Sequence, residues 1–266
     1  MLAYSVPTSA TPRSARRWWC AGVRTLGFLV LAGLLLEGCA RRDMVRRSAD
    51  EWYALGNDQI ARKKYAKAEN AFSQMLEQHP QDRRRPETLL SLTEALYLGK
   101  KYEEAKFQAR RFLEIYPAHP EADKAQYYTA MAAFRRLKTV DRDQSITWEA
   151  LQEFQRLIQA YPRSEFVEEA KQKVVACRDR LAAAELYVGR FYYRKGAYPA
   201  AIGRLAQLLQ TYPEAALADE VLLLLGDAYT RNQNRQEAAS AFDELVKHYP
   251  QSRYASTARA RLAALR

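Results

Sequence analysis

The sequence predicts an all-α fold, an α-solenoid of about five helix-turn-helix repeats closed by a C-terminal capping helix. The first observation is that five helix-like runs end in an aromatic residue or His followed by Pro: His79-Pro80, Tyr116-Pro117, Tyr161-Pro162, Tyr212-Pro213 and Tyr249-Pro250. The second is that small and large residues recur at fixed distances before these prolines. No alternating apolar pattern typical of strands interrupts them.

The distances before the prolines are those of the tetratricopeptide repeat (TPR), W-x2-L-G-x2-Y…A-x3-F…P. At 28, 24, 12 and 8 residues before Pro80 and Pro250 stand Trp52, Gly56, Ala68 and Phe72, and Leu222, Gly226, Ala238 and Phe242. The small residues allow the two helices of a repeat to approach, and the large ones fill the gap between them. Pro ends the second helix because it has no N–H to donate.

The helix pairs predicted from this spacing are 49–63 with 65–79, 86–99 with 102–116, 121–137 with 146–161, 166–195 with 198–212, and 216–232 with 235–249. The capping helix follows at 254–266. Two segments exceed an ordinary repeat: the charged loop 135–143 and the first helix of the fourth pair, about 30 residues or ~45 Å long. The packing of a plain TPR solenoid requires neither the loop nor the lengthened helix. We therefore expect both segments to serve docking.

Residues 1–38 are predicted to be a lipoprotein signal peptide. Four arginines precede the apolar run 25–36, which is shorter than the ~20 residues that span a bilayer. Gly38-Cys39 resembles a bacterial lipobox, which implies cleavage before Cys39, acylation of Cys39 and a polar tether over 39–47. Ala40, in place of an Asp, favours the outer membrane, facing the periplasm. An ordinary secretory signal, a twin-arginine signal and a true start near Val23 stay open.

Charge and cysteine content limit the partners and the stabilising chemistry. The chain has 42 Lys+Arg and 31 Asp+Glu, and loss of the four Arg and one Glu of residues 1–38 leaves 38 against 30, a net +8. No nucleic-acid module is recognisable, so acidic protein surfaces or anionic lipid head groups are the expected partners. Of the mature cysteines, Cys39 carries lipid and Cys177 is expected in the core, so no internal disulfide can form.

We expect no enzyme activity, no cofactor and no metal site. His79, His119 and His248 do not have a metal-ligand spacing. No nucleophile elbow, phosphate loop or zincin motif occurs. Adjacent carboxylates such as Glu103-Glu104 are expected to be solvated charges on helix surfaces.

The middle of the chain carries motifs beyond the repeat. In order they are R-F-L-E-I-Y-P-A-H-P (111–120), V-D-R-D (140–143), A-Y-P-R-S-E-F (160–166), R-D-R-L-A (178–182) and F-Y-Y-R-K-G-A-Y (191–198). These resemble the BamD family, the TPR lipoproteins of the outer-membrane β-barrel assembly (BAM) machinery. Gln144 stands where that family has the Pro of a D-R-D-P loop, and Arg178 stands where it has Lys.

The resemblance implies two working surfaces. Repeats three to five (118–266) would dock on the periplasmic POTRA domains of the barrel subunit BamA, beside other BAM lipoproteins. The candidate contacts there are Arg204 and the loop Asp141, Arg142 and Asp143. Repeats one and two (48–117) would receive unfolded outer-membrane proteins at inward positions of their first helices. TPR geometry suggests that these positions are Tyr53, Asn57, Leu90, Glu94 and Tyr97.

Two other functional classes stay open. A generic periplasmic TPR adaptor lipoprotein for cell-wall or cell-division machinery would share the repeats but not the loop and long-helix motifs. A cell-wall-cleaving enzyme with a helical superstructure would need an appended catalytic domain, and the repeats leave no residues for one.

Overall fold

The computed structural model of the chain describes residues 47–265. Contacts divide the chain into Met1–Arg47 and Ser48–Arg266, and the second unit holds all the helices discussed below. Between residues 47 and 265 there are eleven helices and no strand. They are α1 (Ala49–Ala61), α2 (Tyr65–Gln78), α3 (Arg85–Leu98), α4 (Tyr102–Ile115), α5 (Ala122–Phe134), α6 (Ser145–Ala160), α7 (Val167–Arg194), α8 (Tyr198–Thr211), α9 (Ala218–Arg231), α10 (Arg235–His248) and α11 (Ala255–Ala264).

The helix ends follow the sequence signals closely, so the predicted solenoid of five helix pairs with a cap is confirmed. Ser48 begins α1 with a capping box: Glu51 N–H donates to Ser48 Oγ at 3.2 Å, and Ser48 N–H donates to Glu51 Oε2 at 2.7 Å. The residue before each repeat-ending Pro leaves the helical region, with φ between −126° and −129°. A following Pro disfavours the α conformation, which fixes these ends.

Within three repeats the missing side chain of a glycine lets the paired helices touch, as predicted. A Cβ at Gly56 would lie 2.3 Å from Phe72, one at Gly189 2.7 Å from Leu205, and one at Gly226 2.4 Å from Phe242. In the second repeat Thr93 takes this place; it is buried, and its hydroxyl donates to the Leu89 carbonyl oxygen at 2.8 Å.

The long helix α7 joins two core clusters. Its first half packs with α5 and α6 through a row of buried side chains that includes Val174, Cys177 and Leu181. Its second half packs with α8, α9 and α10 through Ala182 and Leu186. The expectation that the long helix has no packing reason is therefore wrong, because one continuous helix covers α6 and then serves as the first helix of the fourth repeat.

An ionic network connects the second helices of repeats two and three. Glu149 on α6 accepts hydrogen bonds from Lys106 Nζ and Arg110 Nη2 of α4, both at 2.9 Å. Burial raises the pKa of Glu149, but the two cations outweigh burial and hold that pKa below the usual range. Arg110 also reaches Glu153 Oε1 at 2.8 Å. The register between α4 and α6 therefore depends partly on charge.

Glu153 is a buried carboxylate, only 4% exposed. Its second oxygen accepts from Gln126 Nε2 of α5 at 2.8 Å and from Arg156 Nη1 at 2.9 Å. Because charged groups are rarely buried without partners, these contacts and Arg110 explain how the solenoid tolerates it.

The C-terminal helix α11 covers the last repeat. Ala255 and Ala258 are buried against Phe242 and Leu245 of α10, while most of the other face of α11 is exposed. Across the part of the chain that the structure describes, no helix combines the length and apolar character needed to cross a bilayer.

Candidate functional site

The predicted groove positions of the first repeat lie on α1. Asn57 is exposed. Tyr53 is half-buried: its ring centroid is 6.0 Å from that of Phe72, and the Arg84 guanidinium lies 5.5 Å from it. Tyr53 is therefore partly packed and partly accessible to a ligand, while Asn57 is exposed.

The structure corrects one groove residue. Leu90 on α3 is only 2% exposed and belongs to the core cluster that α3 forms with Phe112 of α4 and with Ala122 and Ala125 of α5. The stacked third repeat covers this position. Leu90 stabilises the junction of repeats two and three and does not line an open groove.

Glu94 lies one turn further along α3 and remains accessible. Its side chain is 31% exposed and pairs with Lys124 Nζ of α5 at 3.4 Å. Burial, followed by the charge of Glu94, raises the pKa of the neighbouring Tyr128. The carboxylate therefore already has two partners, the half-buried Lys124 and the hydroxyl of Tyr128, and its accessible part can still meet a basic or amide group of a ligand.

Tyr97 lies within a chain of five aromatic rings that crosses from the second repeat to the third. Its ring centroid is 5.6 Å from Tyr102 and 5.4 Å from Tyr128. Tyr127 continues the chain, 5.7 Å from Tyr128 and stacked on Phe166 at 4.4 Å. Aromatic pairs at such distances attract each other beyond simple burial. Tyr97 is therefore both a surface residue and a packing residue.

Polar groups edge this aromatic chain. Arg135 is exposed, and its Nε donates to Tyr97 Oη at 2.9 Å, a hydrogen bond that raises the pKa of Arg135. Tyr127 Oη donates to Glu169 Oε2 at 3.0 Å; burial and then this bond raise the pKa of Tyr127. The arrangement places a cation beside Tyr97 and a carboxylate beside Tyr127, on two different rings of the aromatic chain.

Neither Arg135 nor Tyr127 was predicted from the sequence to belong to this surface. Pro80 and Pro117 are 37 residues apart, so the positions in the third repeat that correspond to Leu90 and Tyr97 are Tyr127 and Phe134. The repeat spacing therefore predicts Tyr127 as an equivalent position in the third repeat. Arg135 carried no such signal, because its contact with Tyr97 depends on tertiary packing.

The charged loop between α5 and α6 is exposed but held in place. The hydrogen bond from the Thr139 side chain lowers the pKa of Asp141, and that from the Ser145 side chain lowers the pKa of Asp143. Gln144 closes the loop: its Nε2 donates to the carbonyl oxygens of Thr139 at 2.9 Å and Arg142 at 2.8 Å. Gln144 therefore fastens the loop by side-chain hydrogen bonds where a Pro would restrict the backbone.

The R-D-R-L-A stretch of α7 connects this loop to the next repeats. Arg180 Nη2 donates to the Lys138 carbonyl oxygen, and Asp179 Oδ1 accepts from the Ala216 N–H at 3.2 Å. The same stretch thus holds the loop before α6 and the turn before α9.

Arg204 is exposed on α8. Its Nη1 lies 3.3 Å from Glu185 Oε2 of α7, and the two side chains are 48% and 40% exposed. An exposed pair of this kind contributes ~0–1 kcal/mol. Arg204 is therefore accessible to an external carboxylate.

The two cysteines singled out in the sequence do not contribute to the candidate surfaces described here. Cys39 lies outside the described residues. Cys177 is fully buried, and burial raises the pKa of its thiol to about 12. Within residues 47–265, no group of three or more His, Cys, Asp or Glu side chains could hold a metal ion.

Comparisons with a family model and with known relatives agree on one protein family. A family model described as YfiO, an outer membrane lipoprotein, matches residues 46–240. The outer membrane protein assembly factor BamD of Caulobacter vibrioides is 30% identical over 231 residues, which cover 85% of this chain and 76% of that protein. BamD of Rickettsia prowazekii is 29% identical over 239 residues, covering 88% and 95%. Among solved structures, a TPR protein from Thermus thermophilus has 17% identity and a TM-score of 0.37, covering 82% of this chain and 98% of its own.

Proposed function

Because the chain belongs to the outer membrane lipoprotein family of YfiO and BamD, we propose that it is a lipid-anchored scaffold of the BAM machinery. Its relatives are named outer membrane protein assembly factors, and a family member shares that role. The observation that carries the proposal is the extent of the family match, which runs from before α1 into α10.

The first proposed activity is docking on the POTRA domains of BamA through repeats three to five. Arg204 supports this proposal because it is exposed and held only by an exposed carboxylate. The loop Asp141–Asp143 supports it because its charged side chains are exposed while its backbone is fastened by Gln144. A surface that is ordered before binding loses less conformational entropy on association.

The second proposed activity is reception of unfolded β-barrel proteins by the first repeats. Tyr53, Asn57, Glu94 and Tyr97 offer an aromatic, amide and carboxylate surface, and Arg135 adds a cation beside Tyr97. Extended segments rich in aromatic residues suit such a surface, because rings stack and main-chain amides need polar partners. Leu90 is left out of this surface because it is buried.

The proposed location is the periplasmic face of the outer membrane. Acylation at Cys39 would anchor the chain, since several buried acyl chains hold a protein at ~0.8 kcal/mol per CH₂. Other BAM lipoproteins would bind alongside. No cofactor and no nucleic acid enter this function.

A binding experiment tests the proposal. The lipidated chain, purified in detergent, is titrated with a soluble fragment of the POTRA domains of its own BamA and, separately, with a periplasmic domain of similar size and charge. We expect saturable binding to the first and none to the second. If the POTRA fragment does not bind and the chain instead binds cell-wall hydrolases or division proteins, it is a generic adaptor.

A further inference from the structure

The second half of α7 presents two aromatic rings to solvent. Tyr187 and Phe191 are each 45% exposed, and because they stand four residues apart they lie on one face of the helix. Phe is among the residue types that are most often fully buried, so two exposed rings on one face are a more specific observation than a single exposed ring. They indicate a contact that the folded chain itself does not supply.

The repeat register explains why this face is open. Phe191 stands 22 residues before Pro213. In the second and fifth repeats the same position is held by Ala95 and Ala228, which are both buried. Ala95 belongs to a core cluster with residues of α2, the second helix of the preceding repeat. The core cluster that α7 forms with α6 extends along α7 only as far as Leu181, so α6 does not cover the second half of α7 in this way.

Basic side chains surround the two rings. Arg194 and Lys195 follow Phe191 by three and four residues, the spacing of neighbours on a helix surface. Arg190 has the same relation to Tyr187. The Lys195 Nζ lies 6.0 Å from the centroid of the Phe191 ring. Arg190 pairs with a carboxylate of α9, but neither Arg194 nor Lys195 has an ion-pair partner among residues 47–265.

The combination of rings and cations suits an anionic membrane surface. Between residues 182 and 213 the only acidic residue is Glu185, so the charge of this segment is positive. At a bilayer surface, aromatic rings enter the boundary between head groups and acyl chains, while long basic side chains keep their charge beside the lipid phosphates. A bilayer offers the apolar layer and the anions together, and it needs no matching shape. The family to which the chain belongs is associated with the outer membrane.

We propose that the Tyr187–Phe191 face of α7 lies against an anionic phospholipid bilayer. The two rings enter the head-group layer, and Arg194 and Lys195 bind lipid phosphates. This contact is separate from the lipid anchor proposed at Cys39, and it holds the fourth repeat close to the membrane. The inference rests on the outer-membrane association of the family and not on docking to the POTRA domains.

Side-chain labelling in vesicles tests this contact. The full chain, purified with its anchor, is reconstituted into vesicles of phosphatidylcholine alone or of phosphatidylcholine mixed with phosphatidylglycerol. Hydroxyl radicals then modify the exposed side chains, and mass spectrometry measures the modification of Tyr187 and Phe191. Phe107 of α4, which is 63% exposed, is the internal control.

We expect about threefold less labelling of the two rings in vesicles that contain phosphatidylglycerol, because each Lys or Arg near an anionic surface is attracted to it. Labelling of Phe107 should be the same in both kinds of vesicle. Arg194→Glu combined with Lys195→Glu should restore the labelling seen with phosphatidylcholine alone. Lys64→Glu combined with Lys67→Glu, an equal change of charge at the start of α2, should keep the protection. Circular dichroism verifies that both double variants are folded.

Four results would overturn the inference. Equal labelling of the rings in both kinds of vesicle would show that the face does not bind anionic lipid. Equal loss of protection in the two double variants would make net charge the cause. Protection that depends on protein concentration would make a second copy the occupant, and protection that appears only after a POTRA fragment is added would make a protein the occupant. Titration of the same samples with the POTRA fragment tests the proposed function separately.

Discussion

The ring of Phe242 occupies the space that a side chain at Gly226 would need, with Cε1 2.4 Å from the position of a Cβ. Gly56 and Phe72 are in the same relation in the first repeat, and each lies 170 residues before its counterpart in the fifth repeat. The contact is dense because both partners are buried. A single methyl group is therefore enough to disturb it.

Gly226→Ala is expected to destabilise the fifth repeat although alanine is the better helix former. Overpacking costs ~1–3 kcal/mol, which exceeds the ~1 kcal/mol that alanine gains in an open helix. Thermal and urea unfolding followed by circular dichroism measure the effect. Gly203→Ala is the matched control, since its methyl group meets open space. Equal shifts in the two variants would contradict the helix contact described here.

Glu149→Gln should reduce the free energy of unfolding more at neutral pH than in acid. The folded pKa of Glu149 is held below the usual value, so its contribution is complete above the unfolded pKa of about 4.3 and is lost as the pH falls through the folded value. We expect a loss of about 1 kcal/mol at pH 7 that becomes smaller as the pH falls below the unfolded pKa. Urea unfolding at pH 7 and at a series of acidic pH values tests this, with Glu168→Gln, a substitution of an exposed residue, as control. A difference of the same size at every pH would refute the charge explanation.

Arg204→Glu is expected to weaken binding to the POTRA fragment at least tenfold while the melting temperature barely moves. Reversal of the charge repels a partner carboxylate, whereas the pair lost with Glu185 is exposed and weak. Titration and thermal unfolding are the measurements. Arg259→Glu, an exposed change of the same charge on α11, should bind like the parent. If both reversals weaken binding equally, net charge and not Arg204 governs the interaction.

Tyr97→Phe is expected to reduce cross-linking to an unfolded β-barrel peptide about two- to tenfold, the worth of one hydrogen bond of ~0.5–1.5 kcal/mol. The substitution keeps the ring contacts with Tyr102 and Tyr128 but removes the oxygen that orients Arg135. POTRA binding should stay within twofold of the parent. Tyr187→Phe, on the exposed side of α7, is the control. Unchanged cross-linking in Tyr97→Phe would remove this position from the client surface.

Cys39→Ser should release the chain from the outer membrane. Acylation needs the thiol, and no helix between residues 47 and 265 could replace the lipid as an anchor. Membrane fractionation after a high-salt wash measures the outcome, with Cys177→Ser as the cysteine control. Retention of the Cys39→Ser chain in the outer membrane would show that lipid is not the anchor.

The fold could be predicted from the repeat pattern because each signal depends on residues within one helix pair. A Pro ends each second helix whatever lies beyond it, and a Gly opposite a large residue belongs to one helix pair. Leu90 was misplaced for the opposite reason: its burial comes from Ala122 and Ala125 of the next repeat. Likewise, the contacts of Arg135 with Tyr97 and of Arg180 with Lys138 join residues about 40 positions apart. Spacing within one repeat cannot reveal them.

The unbroken course of α7 has a mechanical consequence. Repeats three and four are joined by a turn, as the other repeats are, but α7, which follows that turn, is a continuous helix of 28 residues, ~42 Å long, that packs in one core along its first half and in a second core along its second half. A force applied to the fourth repeat, where Arg204 lies, should therefore be transmitted along α7 to the charged loop.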